Sequence, residues 1–175
     1  METRSGWGEP GQVGKETDGT GHQMSYDAII EQLGIVIPAS PTPVANYVPV
    51  VRVGDLLFLS GVLPSRDGQL IMTGKLGVDL SLDQGIDAAK AAALNALAIV
   101  KSEVGSLDRV KRIVKMVGHI ASAPGFTDQP QVLNGASDLF VQIFGEAGRH
   151  ARVAVGAAEL PRRAPVEIEL IVQVA

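Results

Sequence analysis

The strand segments of this chain contain more apolar residues than its helices can cover. The C-terminal segment 165–174, PVEIELIVQV, is apolar at most positions instead of alternating strictly between apolar and polar residues. Such a composition is typical of strands that are buried on both faces. Two long helical segments are present, and together they cover one face of a sheet. The second face should pack against other copies of the chain, so the sequence predicts an oligomer.

Turn and capping residues divide the chain into strands and helices. Gly54-Asp55 separates two apolar segments, which is a hairpin signal. Ser81 and Gln84 have the spacing of a capping box, and the helix that they begin stops at Gly105. The predicted elements are a weak helix at 27–34, strands at 48–53 and 56–61, a short strand near 70–73, a helix ending near 104, a strand at 110–122, a helix at 130–146, and strands at 151–160 and 165–174.

The order of these elements predicts the fold class. Three strands, a helix, a strand, a helix and two further strands form an α/β sandwich, in which a mixed sheet carries two helices on one face. A length of 175 residues fits one domain. Residues 1–23 lack any apolar period and are interpreted as a flexible N-terminal extension. Residues 24–175 then form the single domain.

The composition excludes several classes of protein. The chain has no cysteine, which removes disulfide frameworks, thiolate zinc sites, iron–sulfur clusters and cysteine nucleophiles. This fits a reducing compartment, and we expect a cytoplasmic protein. The 15 basic and 19 acidic residues argue against a general nucleic-acid binder. No apolar run reaches the ~18 residues of a membrane span, and the N-terminus lacks a secretory signal, so we expect no membrane partner.

Common nucleotide-binding and hydrolase motifs are missing from the sequence. It contains no Gly-x-Gly-x-x-Gly fingerprint, no Walker motif and no Gly-x-Ser-x-Gly elbow. The histidines His22, His119 and His150 do not have metal-ligand spacing. Metal-dependent hydrolysis and serine-triad chemistry are therefore unsupported, and we predict no metal site.

A few charged residues lie within the apolar strands. Arg152 is placed among alanine, valine and glycine, and Glu167 and Glu169 alternate along the last strand. A buried arginine costs several kcal/mol unless it is paired. In a structural role, Arg152 pairs with a glutamate of the neighbouring strand or lies at a sheet edge. In a functional role, its planar guanidinium offers two parallel hydrogen bonds to a ligand carboxylate.

Four blocks of residues together resemble one protein family. They are Tyr47 with Val53-Gly54-Asp55-Leu56, Leu59-Ser60-Gly61 and Pro64; Asn95 with Gly105-Ser106-Leu107-Asp108-Arg109-Val110; Leu133-Asn134 with Leu139-Phe140 and Phe144-Gly145; and Ala151-Arg152-Val153-Ala154-Val155 with Glu159-Leu160-Pro161 and Pro165-Val166-Glu167-Ile168-Glu169. The last block is the most specific of the four. Over about Pro43 to Val174, the chain resembles the RidA/YjgF/UK114 family, also called L-PSP endoribonuclease-like.

The resemblance implies a chorismate-mutase-like fold and a homotrimer with three clefts between its subunits. The best-studied members hydrolyse reactive enamine and imine intermediates, such as 2-aminoacrylate, to a 2-oxo acid and ammonia, and they use no cofactor. The implied ligand is a small carboxylate or imino acid. Two alternatives stay open: a trimer that binds a carboxylate without turnover, and an endoribonuclease as in the older family label.

The resemblance also implies the site residues. Arg152 matches the arginine that binds the substrate carboxylate, and Glu167 matches the glutamate proposed to hold or activate water. The implied cleft-lining residues are Tyr47, Gly61, Asn134 and Ala154. Packing roles stay open for Tyr47 and Asn134, and Gly61 can serve close backbone approach alone. His150 stands where the family commonly has proline, and we interpret it as a surface residue, with entry into the pocket as the alternative.

Overall fold

The computed structural model describes residues 24–41 and 46–175. The predicted extension at 1–23 lies outside the described residues. The helices are α1 (Tyr26–Gln32), α2 (Leu82–Val104) and α3 (Gln129–Phe144). The strands are β1 (Val50–Val53), β2 (Leu56–Leu59), β3 (Ser65–Arg66), β4 (Gln69–Leu70), β5 (Val110–Ala121), β6 (Ala151–Ala157) and β7 (Val166–Val174).

Five strands form a mixed sheet in the order β1-β2-β7-β5-β6. Strands β5 and β6 pair in parallel, whereas β1–β2, β2–β7 and β5–β7 are antiparallel. Although β6 precedes β7 in the chain, β7 inserts between β2 and β5, and β6 lies at an edge of the sheet. The predicted α/β class and mixed sheet are confirmed.

The short strand predicted near 70–73 lies elsewhere. Strands β3 and β4 pair as a separate two-stranded ribbon. Asp67 and Gly68 between them have φ of 51° and 76°, the left-handed conformations that a two-residue hairpin turn requires. Because the chain reverses within these two residues, the pairing falls immediately on either side of the turn and ends at Leu70.

Helix α2 supports the sheet and fixes the chain beyond β2. The Ser81 Oγ accepts from the Gln84 N–H at 3.3 Å, and the Gln84 Oε1 accepts from the Ser81 N–H at 2.9 Å, so the predicted capping box is present. Asn95 is buried, and its Nδ2 donates to the carbonyls of Leu63 and Ser65 at 2.9 Å each. These bonds hold the segment that follows β2 against the helix. The fully buried alanines of α2 are Ala88, Ala89, Ala92, Ala93 and Ala96.

Helices α2 and α3 pack against each other and against the sheet. A Cβ at Gly135 of α3 would overlap the Ile86 carbonyl of α2, so the two helices meet at backbone distance. Helix α2 contacts β7, and α3 contacts β5 and β6. The apolar side of α3 is buried through Val132, Leu133, Ala136, Leu139 and Phe140. The predicted arrangement of two long helices against the sheet is therefore present.

The other face of the sheet carries no helix among the described residues. Along β7, buried Val166, Ile168 and Leu170 alternate with the partly buried Glu167 and the exposed Glu169. The helix-free face also presents the exposed apolar residues Val51, Val53, Phe58, Val153 and Val155. The covering of this face by other copies of the chain stays a prediction.

Candidate active site

Glu167 is half-buried near the start of the central strand β7. It alternates with the fully buried Val166 and Ile168, so its side chain leaves the sheet on the helix-free face. Its carboxylate lies over Gly61, where a Cβ would overlap the Glu167 Oε1. Glycine at position 61 therefore makes the space that this carboxylate occupies.

The surroundings of Glu167 favour its neutral form. Burial is the main cause that raises the pKa of this carboxyl; the charge of His119 lowers it in part, and that of Glu169 adds to the rise. The His119 Nε2 itself lies 3.0 Å from the Glu169 Oε1. Within the described residues no hydrogen bond or ion pair engages the Glu167 carboxyl, so it is available to a ligand or a water molecule.

A pocket of about 230 Å³ opens beside Glu167. Its polar lining comes from Tyr47, Ser60, Ser65, Arg162 and Glu167, and its apolar lining includes Val62, Leu63, Ile99 and prolines 41, 49 and 161. Tyr47 is about half exposed. The structure thus brings the predicted residues Tyr47, Gly61 and Glu167 together at one pocket.

Arg152 is held on the helix side of the sheet. It pairs in register with Met116 of β5, which is fully buried. Its Nη1 donates to the Asn134 Oδ1 at 2.9 Å and to the Ser137 Oγ at 3.0 Å. These two bonds use both hydrogens of Nη1, and within the described residues Nε and Nη2 have no hydrogen-bond partner. The open Nε–Nη2 edge has the fork geometry that binds a carboxylate through two parallel hydrogen bonds.

Of the two structural roles considered for Arg152, pairing with a strand glutamate is wrong. Strand β6 neighbours β5 rather than β7, and Arg152 faces helix α3 while Glu167 faces away from it. The alternative of a sheet-edge position is correct, because β6 is an edge strand. Ala154 lies two residues farther along β6 on the same side as Arg152 and packs partly buried against the core.

One chain therefore carries two groups of predicted site residues. Tyr47, Gly61 and Glu167 share the pocket, while Arg152 contacts Asn134 and is followed by Ala154 on the helix side. Strand β5 separates β6 from β7, and the two groups use opposite faces of the sheet. The assignment of these residues to a single site stays a prediction.

Comparison with known proteins identifies the family. The family model described as "YjgF/chorismate_mutase-like", which also carries an endoribonuclease label, matches residues 28–172. Protein TCP17 of Trypanosoma cruzi is 47% identical over 147 residues, which cover 83% of this chain and 92% of that protein. The chain belongs to the RidA/YjgF family.

Two further comparisons place this RidA/YjgF chain among known proteins. A 2-iminobutanoate/2-iminopropanoate deaminase of Dermatophagoides farinae is 29% identical over 138 residues, covering 79% of this chain and 93% of that protein. The crystal structure of protein Atu1372, of unknown function, from Agrobacterium tumefaciens is 42% identical with a TM-score of 0.80, covering 86% of this chain and 92% of that one. The resemblance read from the sequence is confirmed at the level of family and fold.

Three residues near the candidate site of this RidA/YjgF chain differ from the expectation or were not foreseen. His150 is half-buried, and its Nε2 lies 3.2 Å from the Ser137 Oγ, so its interpretation as a surface residue is wrong. Ser137 stands three positions after Asn134, a spacing that places two residues on one helix face and could have indicated it. Arg162 has a left-handed backbone (φ 59°) and lines the Glu167 pocket, and no sequence signal pointed to it.

Metal ligands and membrane spans were both sought in the part of the chain that the structure describes. No cluster of three or more His, Cys, Asp or Glu side chains there could hold a metal ion. None of the described helices is long and apolar enough to cross a membrane.

Proposed function

We propose that this RidA/YjgF chain hydrolyses enamine and imine intermediates of amino acids to 2-oxo acids and ammonia. The observation that carries the proposal is the half-buried Glu167 carboxyl, which lies over Gly61 at the wall of a pocket and has a raised pKa. The relative named as an imine deaminase supports the same chemistry.

The reaction consumes one water molecule and needs no redox partner. Water adds to the carbon of the protonated C=N bond and forms a tetrahedral carbinolamine. The C–N bond then breaks, so that the 2-imino acid and water become a 2-oxo acid and an ammonium ion. An enamine first takes up a proton at its β-carbon and becomes the imine. Each step moves a proton, so a positioned acid–base group accelerates it.

Glu167 is the group that moves these protons. Its carboxylate takes a proton from the attacking water and returns it to nitrogen as the C–N bond breaks. A carboxyl whose pKa is raised by burial holds a proton more readily near neutral pH than an exposed glutamate does. Because imines also hydrolyse without a catalyst, positioning plus one such group is sufficient.

Arg152 fixes the substrate in the proposed reaction. Its open Nε–Nη2 edge binds the carboxylate next to the imine carbon, while Asn134 and Ser137 hold Nη1. Binding at two points restricts the imine carbon to one place and one orientation. The apolar wall of the pocket, through Val62, Leu63 and Ile99, suits the side chain of the imino acid.

The proposed site lies between chains of a homotrimer. Arg152 and Glu167 leave one sheet on opposite faces, so a ligand that touches both must be held by two copies of the chain. The exposed apolar residues of the helix-free face, such as Phe58, Val153 and Val155, supply surface that a second copy would cover.

The test follows the decay of an imine made in solution by oxidation of an amino acid. We expect the purified protein to shorten the imine lifetime, and Arg152→Ala and Glu167→Gln to abolish the effect. The exposed Lys90→Ala variant is the matched control and should retain wild-type activity. Equal decay with and without wild-type protein would rule out the proposed hydrolysis. Binding of the 2-oxo acid without any acceleration would instead establish the carboxylate-binding alternative.

A further inference from the structure

A chain of hydrogen bonds extends from Arg152 through Ser137 and His150 to the backbone. The His150 Nδ1 lies 2.6 Å from the Gly148 carbonyl oxygen. A carbonyl only accepts, so Nδ1 carries a proton, and in the neutral ring Nε2 is then the acceptor. The Ser137 hydroxyl therefore donates to the His150 Nε2 at 3.2 Å, and its oxygen accepts from the Arg152 Nη1 at 3.0 Å.

The surroundings of His150 keep its imidazole neutral. Its ring stands edge-on to Phe140, with centroids 5.7 Å apart. Burial is the main cause that lowers the pKa of His150; the Gly148 carbonyl opposes the change, and the charge of Arg152 adds to it. The neutral ring is the form that can accept a hydrogen bond at Nε2.

We propose that Ser137 and His150 form a positioning relay that sets which edge of Arg152 is presented to a carboxylate. His150 fixes the rotation of the Ser137 hydroxyl, so that its oxygen always faces Arg152 as an acceptor. With Asn134 as the second acceptor, both hydrogens of Nη1 are occupied, and Nε and Nη2 are left for the ligand. Neither Ser137 nor His150 needs to touch the ligand.

The relay rests on the proposed role of Arg152 as the carboxylate-binding group, and it explains why a histidine occupies position 150. Without an acceptor at Ser137, one Nη1 hydrogen loses its partner, and the guanidinium can turn about its last side-chain bond. Binding of a ligand would then have to order the guanidinium, which reduces the affinity, whereas the relay holds the guanidinium in place before the ligand binds. The expected loss is in carboxylate affinity, with little effect on any later proton transfer.

The first experiment needs no ligand. Nitrogen-15 NMR of histidine-labelled protein identifies His150 by the signal that disappears in His150→Phe. We expect the Nδ1–H tautomer, and a titration midpoint of His150 that rises in Arg152→Gln and in Ser137→Ala, since each removes a group that favours the neutral ring. An Nε2–H tautomer, or a midpoint that neither substitution moves, would overturn the relay.

The second experiment measures propionate binding by calorimetry. Ser137→Ala and His150→Phe should each weaken binding about tenfold, and the double variant should lose about as much as either one, because the two residues act as a unit. Ser102→Ala, an exposed serine of α2, is the matched control. Circular dichroism identifies any variant that does not fold.

The outcomes separate the relay from the proposed reaction. The relay would be overturned if the losses of Ser137→Ala and His150→Phe add in full in the double variant, or if neither substitution changes the affinity for propionate. It would also be overturned if the wild-type protein does not bind propionate. Coupled losses in propionate affinity in a protein that hydrolyses no imine would support the relay and reject the hydrolysis.

Discussion

Arg152 and Glu167 project from opposite faces of the same five-stranded sheet. Arg152 points to α3, where it binds Asn134 and Ser137, and Glu167 leaves β7 on the helix-free side over Gly61. The family resemblance of the sequence implies that both residues act on one substrate, and this assignment stays a prediction. If one ligand uses both, each site must draw its arginine and its glutamate from different copies of the chain.

The division of the site between chains predicts complementation between two inactive variants. Arg152→Ala and Glu167→Gln, co-expressed and purified as mixed oligomers, should regain imine hydrolysis. In a trimer mixed at random, roughly a quarter of the clefts combine an intact arginine with an intact glutamate, so roughly a quarter of wild-type activity is expected. The imine-decay assay measures the recovery.

The matched control for complementation keeps the two variants as separate homo-oligomers. Mixing them without subunit exchange should give no activity. A co-expressed mixture that contains both chains in one oligomer and still has no activity would contradict the two-chain site.

A methyl group at position 61 should disturb Glu167. The Cβ of Gly61→Ala would overlap the Glu167 Oε1, and the backbone of Gly61 does not require a glycine conformation, so the effect is steric. We expect a loss of about 1–3 kcal/mol in the free energy of unfolding, measured by urea denaturation. The double variant Gly61→Ala/Glu167→Ala should recover most of this loss. No recovery would show that the strain lies elsewhere.

Glu167→Gln should stabilise the protein at neutral pH. Folding raises the pKa of Glu167, so the folded protein binds the proton of this carboxyl more tightly than the unfolded chain does. The stability that the protonated carboxyl contributes is fully present below the unfolded-state pKa and is lost as pH rises through the folded-state pKa. A neutral glutamine removes this cost. Calorimetry should show a Tm higher by roughly 1–3 °C at pH 7 and no difference near pH 4. The exposed Glu103→Gln variant is the control, and an equal change at both pH values would contradict the prediction.

Asp27 should link α1 to the rest of the fold in a pH-dependent way. Lys101 Nζ lies 2.9 Å from its Oδ1, and the Ser106 hydroxyl donates to its Oδ2 at 2.8 Å. Burial alone would raise the pKa of Asp27, but these hydrogen bonds and the charge of Lys101 outweigh burial and lower it. The stability that this group contributes is present at neutral pH and is lost as pH falls through the folded-state pKa.

The corresponding experiment compares Asp27→Asn with the wild type in urea. At pH 7 the variant should lose about 0.5–1 kcal/mol, and the two proteins should converge as pH falls through the lowered folded-state pKa of Asp27. Asp87→Asn, which removes an exposed carboxylate on α2, serves as the control. A deficit of the same size at both pH values would exclude the ionic contribution.

Local signals predicted α2 well and the β3–β4 ribbon poorly. The capping box at Ser81 and Gln84 acts within a single turn, so residue types at that spacing are sufficient to locate the start of the helix. The short strand near 70–73 was misplaced because the two left-handed residues, Asp67 and Gly68, set where pairing begins.

The sequence also indicated candidate residues without their geometry. The motifs around Arg152 and Glu167 carried the resemblance to a family that the comparisons confirm. The pairing of Arg152 with a glutamate was wrong because proximity in sequence suggested that β6 and β7 were neighbours, whereas β5 lies between them. The burial of His150 was not predicted because it depends on contacts with Ser137 and Phe140 of α3. These residues are separated from His150 in the sequence but adjacent to it in space.

The sequence by itself located the two long helices, the longer strand segments and the family, because caps, turns and apolar periodicity act over a few neighbouring residues. Only the tertiary structure decided that β7 enters between β2 and β5, that Arg152 and Glu167 face opposite ways, and that Ser137 and His150 contact the arginine side of the sheet. These features depend on strand order and register, which long-range pairing sets, and a side chain's face follows from that pairing.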